Sequence, residues 1–414
     1  MDRREFMIGA SASTALAGAA SLWAGLASTA QADSASPAGA SGDEAAAAYA
    51  ELAGLLGEIE ARYIGADRKM NDAAERAAGR YFVAHALHHG FQFWFEADPQ
   101  RPMFYRWFTP TKKLLGDNPD AVYYGCVIDP SQTYRIRGNV HGAAYTSFTA
   151  EGGTRGGALS RRLVSALNDT EFDVSADGSY EIIASPKRQS RNWLELDPDA
   201  GSITTRHYFE WERSAAADPT LHVPIWIEPL EDPGPAAPMD DAAVAAGIRR
   251  VVTFVRSVTV DFPDLPPERM PNWVSRELNQ FNNPPDDENN MSVGYAAKDN
   301  VYRQAGYEIE LDEALVIRGR FPRCRFANVM VWNHHMQTPP YRRRQVSLNR
   351  VQMHYESDGS FRIVVAHRDP GVPNWIDAAG ARTGTIFWRF QLPEGDVPPL
   401  HAELRPWKEV RKKG

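Results

Sequence analysis

The segment 366–375 reads AHRDPGVPNW and sets His367, Arg368 and Asp369 side by side. An imidazole can act as a general base, a guanidinium can grip an anionic group in a planar fork, and a carboxylate can orient the imidazole. These three residues are the candidate catalytic group; the alternative is a salt-bridged loop. Asn374 and Trp375 close the same segment, and with Trp332, His334 and His335 of the run VMVWNHHM they form the candidate substrate-binding set. Neighbours on a strand point to opposite faces, so at most one of His334 and His335 can share a site with His367.

A second constellation is His85, His88 and His89, spaced i, i+3, i+4 on one helix face. Imidazoles so placed can ligate zinc or iron. No glutamate sits between them as in the HExxH pattern, and the following aromatic run GFQFWFEAD reads as a packed helix end. No metal site is assigned. Asp117-Asn118-Pro119-Asp120 offers cation ligands but lacks the spacing of a calcium loop, and a capped turn feeding a strand explains it better. No phosphate-binding glycine loop, dinucleotide fingerprint or GxSxG elbow is present, and no cofactor is named by the sequence.

These residues are positioned by an internal repeat. Ile136-Arg137-Gly138 recurs as Ile317-Arg318-Gly319, Asp177-Gly178-Ser179-Tyr180 as Asp358-Gly359-Ser360-Phe361, Asn192-Trp193 as Asn374-Trp375, and Asp117-Asn118 as Asp299-Asn300, in one order and at nearly one offset. Each copy alternates apolar and polar residues between Gly and Asp turns, which predicts short strands in a sandwich or jelly roll. The Asn-Trp pair stands in both copies and reads as architecture; His-Arg-Asp stands only in the second, which leaves it free to serve function. Leu52, Leu55, Leu56, Ile59 and Tyr63 predict one helix, residues 72–89 a second that stops at Gly90, and residues 239–262 a third.

The chain opens with Arg3-Arg4, an Ala-rich run, and Ala30-Gln31-Ala32 before Asp33. This is the pattern of a twin-arginine signal peptide cleaved after Ala32, followed by a flexible linker over 33–47. The expectation is a periplasmic or secreted protein, a client of the twin-arginine export machinery, with no stable membrane span. A net charge of −8 and the lack of a basic stripe argue against nucleic acid as a partner. Two cysteines, Cys126 and Cys324, are too few for a disulfide scaffold, and their pairing is left open.

Three stretches carry a family resemblance: EADPQRPMFYRWFTPTKKLLGDNPDAVYYGCVIDPSQTYRIRGNVHGAAYTSFT, RNWLELDPDAGSITTRHYFEWE, and the run from DEALVIRGRF through RTGTIFWRF. Together they resemble the DUF1214 domain family over about residues 70–395. The resemblance implies a β-sandwich or jelly-roll-like fold with helical additions; it brings no assigned function and no catalytic residues. The expectation is therefore a mainly β protein: a helical segment over 48–115, a first β lobe over 116–237, a helical and irregular connector over 238–298, and a second β lobe over 299–414. Its expected task is to bind, and by a lyase or hydrolase step to transform, a small organic molecule. The alternative is a non-catalytic ligand-binding or assembly protein, with homo-oligomerisation open.

Overall fold

Two copies of one β sandwich are laid side by side in the computed structural model, which describes residues 43–65, 70, 72–262, 270–285 and 299–412. The first lobe runs β1 (Tyr105–Arg106), β2 (Ala121–Val127), β3 (Tyr134–Asn139), β4 (Tyr145–Gly152), β5 (Arg162–Asn168), β6 (Ser179–Ser185), β7 (Trp193–Glu195), β8 (Ala200–Tyr208) and β9 (Ile225–Pro229). Its sheets have the orders β1-β2-β8-β4-β5 and β7-β6-β3-β9. The second lobe runs β10 (Asn300–Glu308), β11 (Glu313–Gly319), β12 (Phe326–Trp332), β13 (Ser347–Asn349), β14 (Phe361–Ala366), β15 (Trp375–Asp377), β16 (Thr383–Gln391) and β17 (His401–Pro406). Its sheets, β10-β16-β12-β13 and β15-β14-β11-β17, repeat the first lobe strand for strand once β1 is set aside. Even the parallel pairing of two strands recurs, as β6 with β7 and β14 with β15.

Alternation decides which strands are outermost. In β3, Tyr134 and Ile136 face the core while Arg135 and Arg137 face outward. In β4, β8 and β12 every residue is buried. One face of these strands meets its own lobe's core, built from Val122, Phe148, Ile182 and Ile203 in the first lobe and Leu315, Val329, Ile363 and Trp388 in the second. The other face meets helices or the other lobe, and a strand buried on both sides loses its polar–apolar alternation.

Three helices cover the first lobe: α1 (Glu44–Arg62), α2 (Ala73–His89) and α3 (Asp241–Ser257). Leu52, Leu55 and Ile59 of α1 are buried, whereas Leu56 is exposed. A capping box starts α2: Asp72 accepts from Glu75 N at 2.8 Å and Glu75 reaches back to Asp72 N. Gly90 does not end the helix. The chain continues into a π-helical turn, Gly90–Phe95, which buries Phe93 and Trp94. A Cβ on Gly90 would lie 2.9 Å from Val251 of α3, so this glycine permits close helix packing and is not a stop. A last short helix, α4 (Trp407–Val410), ends the described chain.

One repeat register differs from the sequence expectation. Ala121 pairs with Tyr208, Asn300 pairs with Gln391, and Phe209 N and Leu392 N each donate 2.9 Å bonds to the carbonyls of Asp120 and Asp299. Asp299 is therefore the counterpart of Asp120; the Asp117-Asn118 dipeptide lies in the longer approach to β2. The expected leader and the expected linker as far as residue 42 lie outside the described residues, as do residues 263–269 and 286–298 of the connector; the end of that linker, residues 44–47, belongs to α1.

Candidate functional site

His367, Arg368 and Asp369 follow β14, but their side chains go to three different places. His367 Nε2 bonds the Ile309 carbonyl at 2.9 Å. Arg368 bonds the Leu311 carbonyl at 3.3 Å and lies 4.6 Å above the Trp407 ring. Asp369 accepts from Gly371 N at 2.7 Å and so caps its own turn. None is hydrogen-bonded to another, so no base–orienter pair is formed. His367 and Arg368 do line a surface depression of about 580 Å³ with Glu310, Asp312, Arg344 and Arg382.

Asn374 ties strands together. Its amide accepts from His354 N at 2.8 Å and donates to the carbonyls of His354 at 2.7 Å and Arg362 at 3.1 Å. Trp375 Nε1 donates to Ala366 O at 3.1 Å, as Trp193 Nε1 donates to Ser185 O at 3.0 Å in the first lobe.

The histidines do not converge either. His335 is buried, stacked on Phe82, with its Nδ1 2.8 Å from the Tyr63 hydroxyl; burial lowers its pKa to about 3. His334 bonds the Thr383 hydroxyl at 2.9 Å. His85 accepts from Lys113 N at 2.7 Å, and burial lowers its pKa to about 4. His89 packs edge-on against Trp107 and Phe108, while His88 is exposed. Among the described residues, no three His, Cys, Asp or Glu side chains gather closely enough to hold a metal ion. Cys126 and Cys324 are unpaired.

The richest chemistry lies between the lobes. On β8, Ile203 belongs to the core, so Arg206 and Tyr208 point away from it. On β16, Trp388 and Phe390 belong to the core, so Phe387, Arg389 and Gln391 point away from theirs. These two outer faces meet. Phe326 of the second lobe packs 4.9 Å from Tyr208 of the first, and Tyr145 donates to Asp299 at 2.7 Å. The contact is reciprocal: Asn168 donates to Asp299 at 2.9 Å, and its counterpart Asn349 donates to Asp120 at 3.2 Å. Asn328 adds a bond to Asp120 at 2.9 Å. The Asp117-to-Asp120 turn is thus a clasp, with Asp117 also accepting from Thr338 N at 2.9 Å.

Each lobe offers the layer a tyrosine directly across the sheet from an arginine: Tyr123 with Arg206, and Tyr302 with Arg389. The Tyr123 hydroxyl donates to that of Tyr208 at 3.3 Å. The Asn300 amide donates to the Tyr302 hydroxyl at 2.9 Å. Burial raises the pKa of Tyr123 and of Tyr302, so both phenols stay protonated at neutral pH and act as donors. Arg206 donates to Thr149 at 2.8 Å and sits 3.9 Å from Glu151, which also accepts from Thr149 at 2.8 Å and from Ser160 at 2.9 Å. Arg389 lies 5.4 Å from the Trp332 ring and 5.0 Å from the Phe387 ring. It donates to the Gly116 carbonyl at 2.9 Å, which the left-handed turn at Gly116 (φ 95°) presents.

Several buried polar atoms here have no hydrogen-bond partner: both amide atoms of Gln391, Oδ1 of Asn300 and Nε1 of Trp273. Gln391 and Asn300 are direct cross-strand neighbours, and Trp273 packs 5.3 Å from Tyr302. Of the candidate catalytic and substrate-binding residues read from sequence, the layer takes in Trp332, whose Nε1 donates to Asp117 O at 2.9 Å. It leaves out His334, His335, His367, Arg368, Asp369, Asn374 and Trp375.

The family described as "Protein of unknown function (DUF1214)" matches residues 124–209 and 304–395, which take in both arginines, Tyr208 and Gln391. The crystal structure of an uncharacterized protein from Burkholderia cenocepacia is 25% identical, with a TM-score of 0.75 over 89% of this chain and 99% of that one. The VPA0106 protein from Vibrio parahaemolyticus is 10% identical with a TM-score of 0.44, over 78% of this chain and 98% of that one, too distant to bear on the site. No curated protein matches. With one matched region in each lobe, the chain belongs to the DUF1214 family.

Proposed function

We propose that the protein holds a small organic molecule in the layer between its two lobes, and that it does so outside the cytoplasm after twin-arginine export. The observation that carries the first part is Gln391. Its side chain is 0% exposed, both amide atoms lack partners, and it lies beside the unpaired Asn300 Oδ1. Buried amides are almost always hydrogen-bonded, so orphaned ones beside the neighbouring Arg389–Tyr302 pair suit a ligand with polar ends. The support for export is the Arg3-Arg4 pair and the Ala30-Gln31-Ala32 cleavage pattern.

Native mass spectrometry of the protein recovered from the exporting cell tests the binding. The wild type is expected to carry a small molecule, and Gln391→Leu is expected to fold and lose it. Equal retention by both, or a bare wild type that no small organic compound stabilises against heat, would sink the reading. Fractionation of cells making an Arg3→Lys, Arg4→Lys double variant tests export, with accumulation in the cytoplasm expected.

A further inference from the structure

We infer that the ligand of the interlobe layer is an organic monocarboxylate, its carboxylate seated on Arg389 and a second polar group on the Gln391–Asn300 amides. The inference rests on the binding reading above and adds the ligand's chemical class.

The argument comes from comparing the two repeats. Strand pairing makes Arg389 the counterpart of Arg206: Ser147 lies opposite Arg206, and Asn328 lies opposite Arg389. The same register makes Met330 the counterpart of Thr149, and Trp332 the counterpart of Glu151. In the first lobe, Thr149 and Glu151 are the groups that accept from and neutralise the arginine. In the second lobe, a thioether and an indole stand in their places. Arg389 is only 4% exposed, yet no carboxylate of the described residues lies within ion-pair distance of it. Asp117 acts on it only from beyond ion-pair distance: its oxygens are engaged by Thr338 N and the Thr338 hydroxyl, and Lys113 is its stronger cationic neighbour. The facing phenols Tyr123 and Tyr302 are uncharged.

A guanidinium offers five N–H donors and keeps its charge at any pH the protein meets. Here the Gly116 carbonyl takes one donor, and the Met330 sulfur at 3.6 Å takes another weakly. A buried cation without a counterion is unfavourable, and an anion entering beside it supplies the missing charge and the missing acceptors. The flanking aromatic rings of Trp332, Phe387 and Tyr302 favour a flat organic body over a bare inorganic ion. Gln391 lies two residues along β16 from Arg389 on the same face, a separation of about 7 Å. That is roughly the span of a hydroxylated aromatic acid.

Calorimetry on the full chain with 4-hydroxybenzoate, benzoate and 4-hydroxyphenylacetate, each against its neutral amide, and with inorganic phosphate, tests this. At least one acid is expected to bind ten-fold or more tightly than its amide and than phosphate. Arg389→Met should erase the preference for the acid. Arg389→Lys, which keeps the charge and guards against a folding defect in the first variant, should retain part of it. Gln391→Leu should weaken the hydroxylated acids but not benzoate. If no acid is preferred over its amide, or Arg389→Met leaves the preference intact, the inference is overturned. Amides that bind as well as the acids, and lose affinity in Gln391→Leu, would overturn the anion alone and leave the interlobe site standing. Phosphate binding as tightly as the acids would overturn the organic carboxylate.

Discussion

Arg206 and Arg389 stand at one position in two copies of the same sandwich, each across the sheet from a tyrosine, and of the two only Arg206 has a carboxylate of the described residues within ion-pair distance. The repeat supplies an internal control that a single lobe cannot. The shared Tyr–Arg geometry follows from the duplicated fold. The replacement of Thr149 and Glu151 by Met330 and Trp332 belongs to the second copy alone, and it is this difference that calls for a function.

The two arginines should respond unequally to truncation. Arg206→Met leaves Glu151, which is 0% exposed, without its cation, and should cost about 3–5 kcal/mol. Arg389→Met removes a buried charge that has no ion-pair partner among the described residues, at the expense of one hydrogen bond to a carbonyl, and should leave stability within about 1 kcal/mol of wild type. Chemical denaturation of the two variants checks this; equal losses would mean that Arg389 is already compensated.

The clasp between the lobes can be measured through its asparagines. Asn349→Ala removes a donor from Asp120, a fully buried carboxyl whose pKa burial raises to about 6, and should cost about 2–3 kcal/mol. Asn168→Ala removes the equivalent donor from Asp299, which is only half-buried, and should cost less, about 1 kcal/mol. Thermal melts would show one cooperative transition in both variants. A split transition in Asn349→Ala, with the lobes melting apart, would show that the clasp alone couples them.

Much of this fold is legible in the sequence because the repeat is: IRG, DGS and NW mark the same turns and strands twice, and their copies land on matching strands. The helix periodicity also places α1 and α2, although Gly90 reads as a stop when it serves as a contact. The candidate site is harder. His367, Arg368 and Asp369 are conspicuous because they are adjacent, but adjacency at a strand end sends side chains in different directions. The interlobe residues are scattered over β2, β8, β10 and β16, and are joined only by pairing. The available signal was a lone guanidinium inside an otherwise uncharged, aromatic-containing strand, in TTRHYF and again in IFWRFQ. A sheet edge tolerates such a charge, whereas a strand buried on both faces must answer it. The Asp-Asn dipeptides mislead for the reverse reason, because they match in sequence but not in register.

His335 predicts a pH dependence. Its pKa falls from 6.5 unfolded to about 3 folded, chiefly through burial. The unfolded chain therefore takes up a proton below pH 6.5 that the folded chain refuses. Stability from this group is complete above pH 6.5 and falls as the pH drops toward the folded value, by up to about 1.4 kcal/mol per unit. His335→Gln lacks this group. Its stability deficit against wild type at pH 7.5 should shrink by about 2 kcal/mol at pH 5. Parallel pH profiles for the two proteins would contradict it.

The segment 366–375 gives the last test, because its two halves should behave differently. Asn374 is 4% exposed and makes three bonds to backbone groups of two segments, so Asn374→Ala should cost about 2–3 kcal/mol. The half-buried Asn192, with bonds to Asp173 N and the Glu181 carbonyl, should cost about 1 kcal/mol when truncated. His367→Ala loses one bond to the Ile309 carbonyl and should cost about 1 kcal/mol. If the interlobe layer is the binding site, His367→Ala should retain the same small molecule as wild type in native mass spectrometry. Loss of that molecule from His367→Ala, with the fold intact, would move the site to the depression lined by His367 and Arg368.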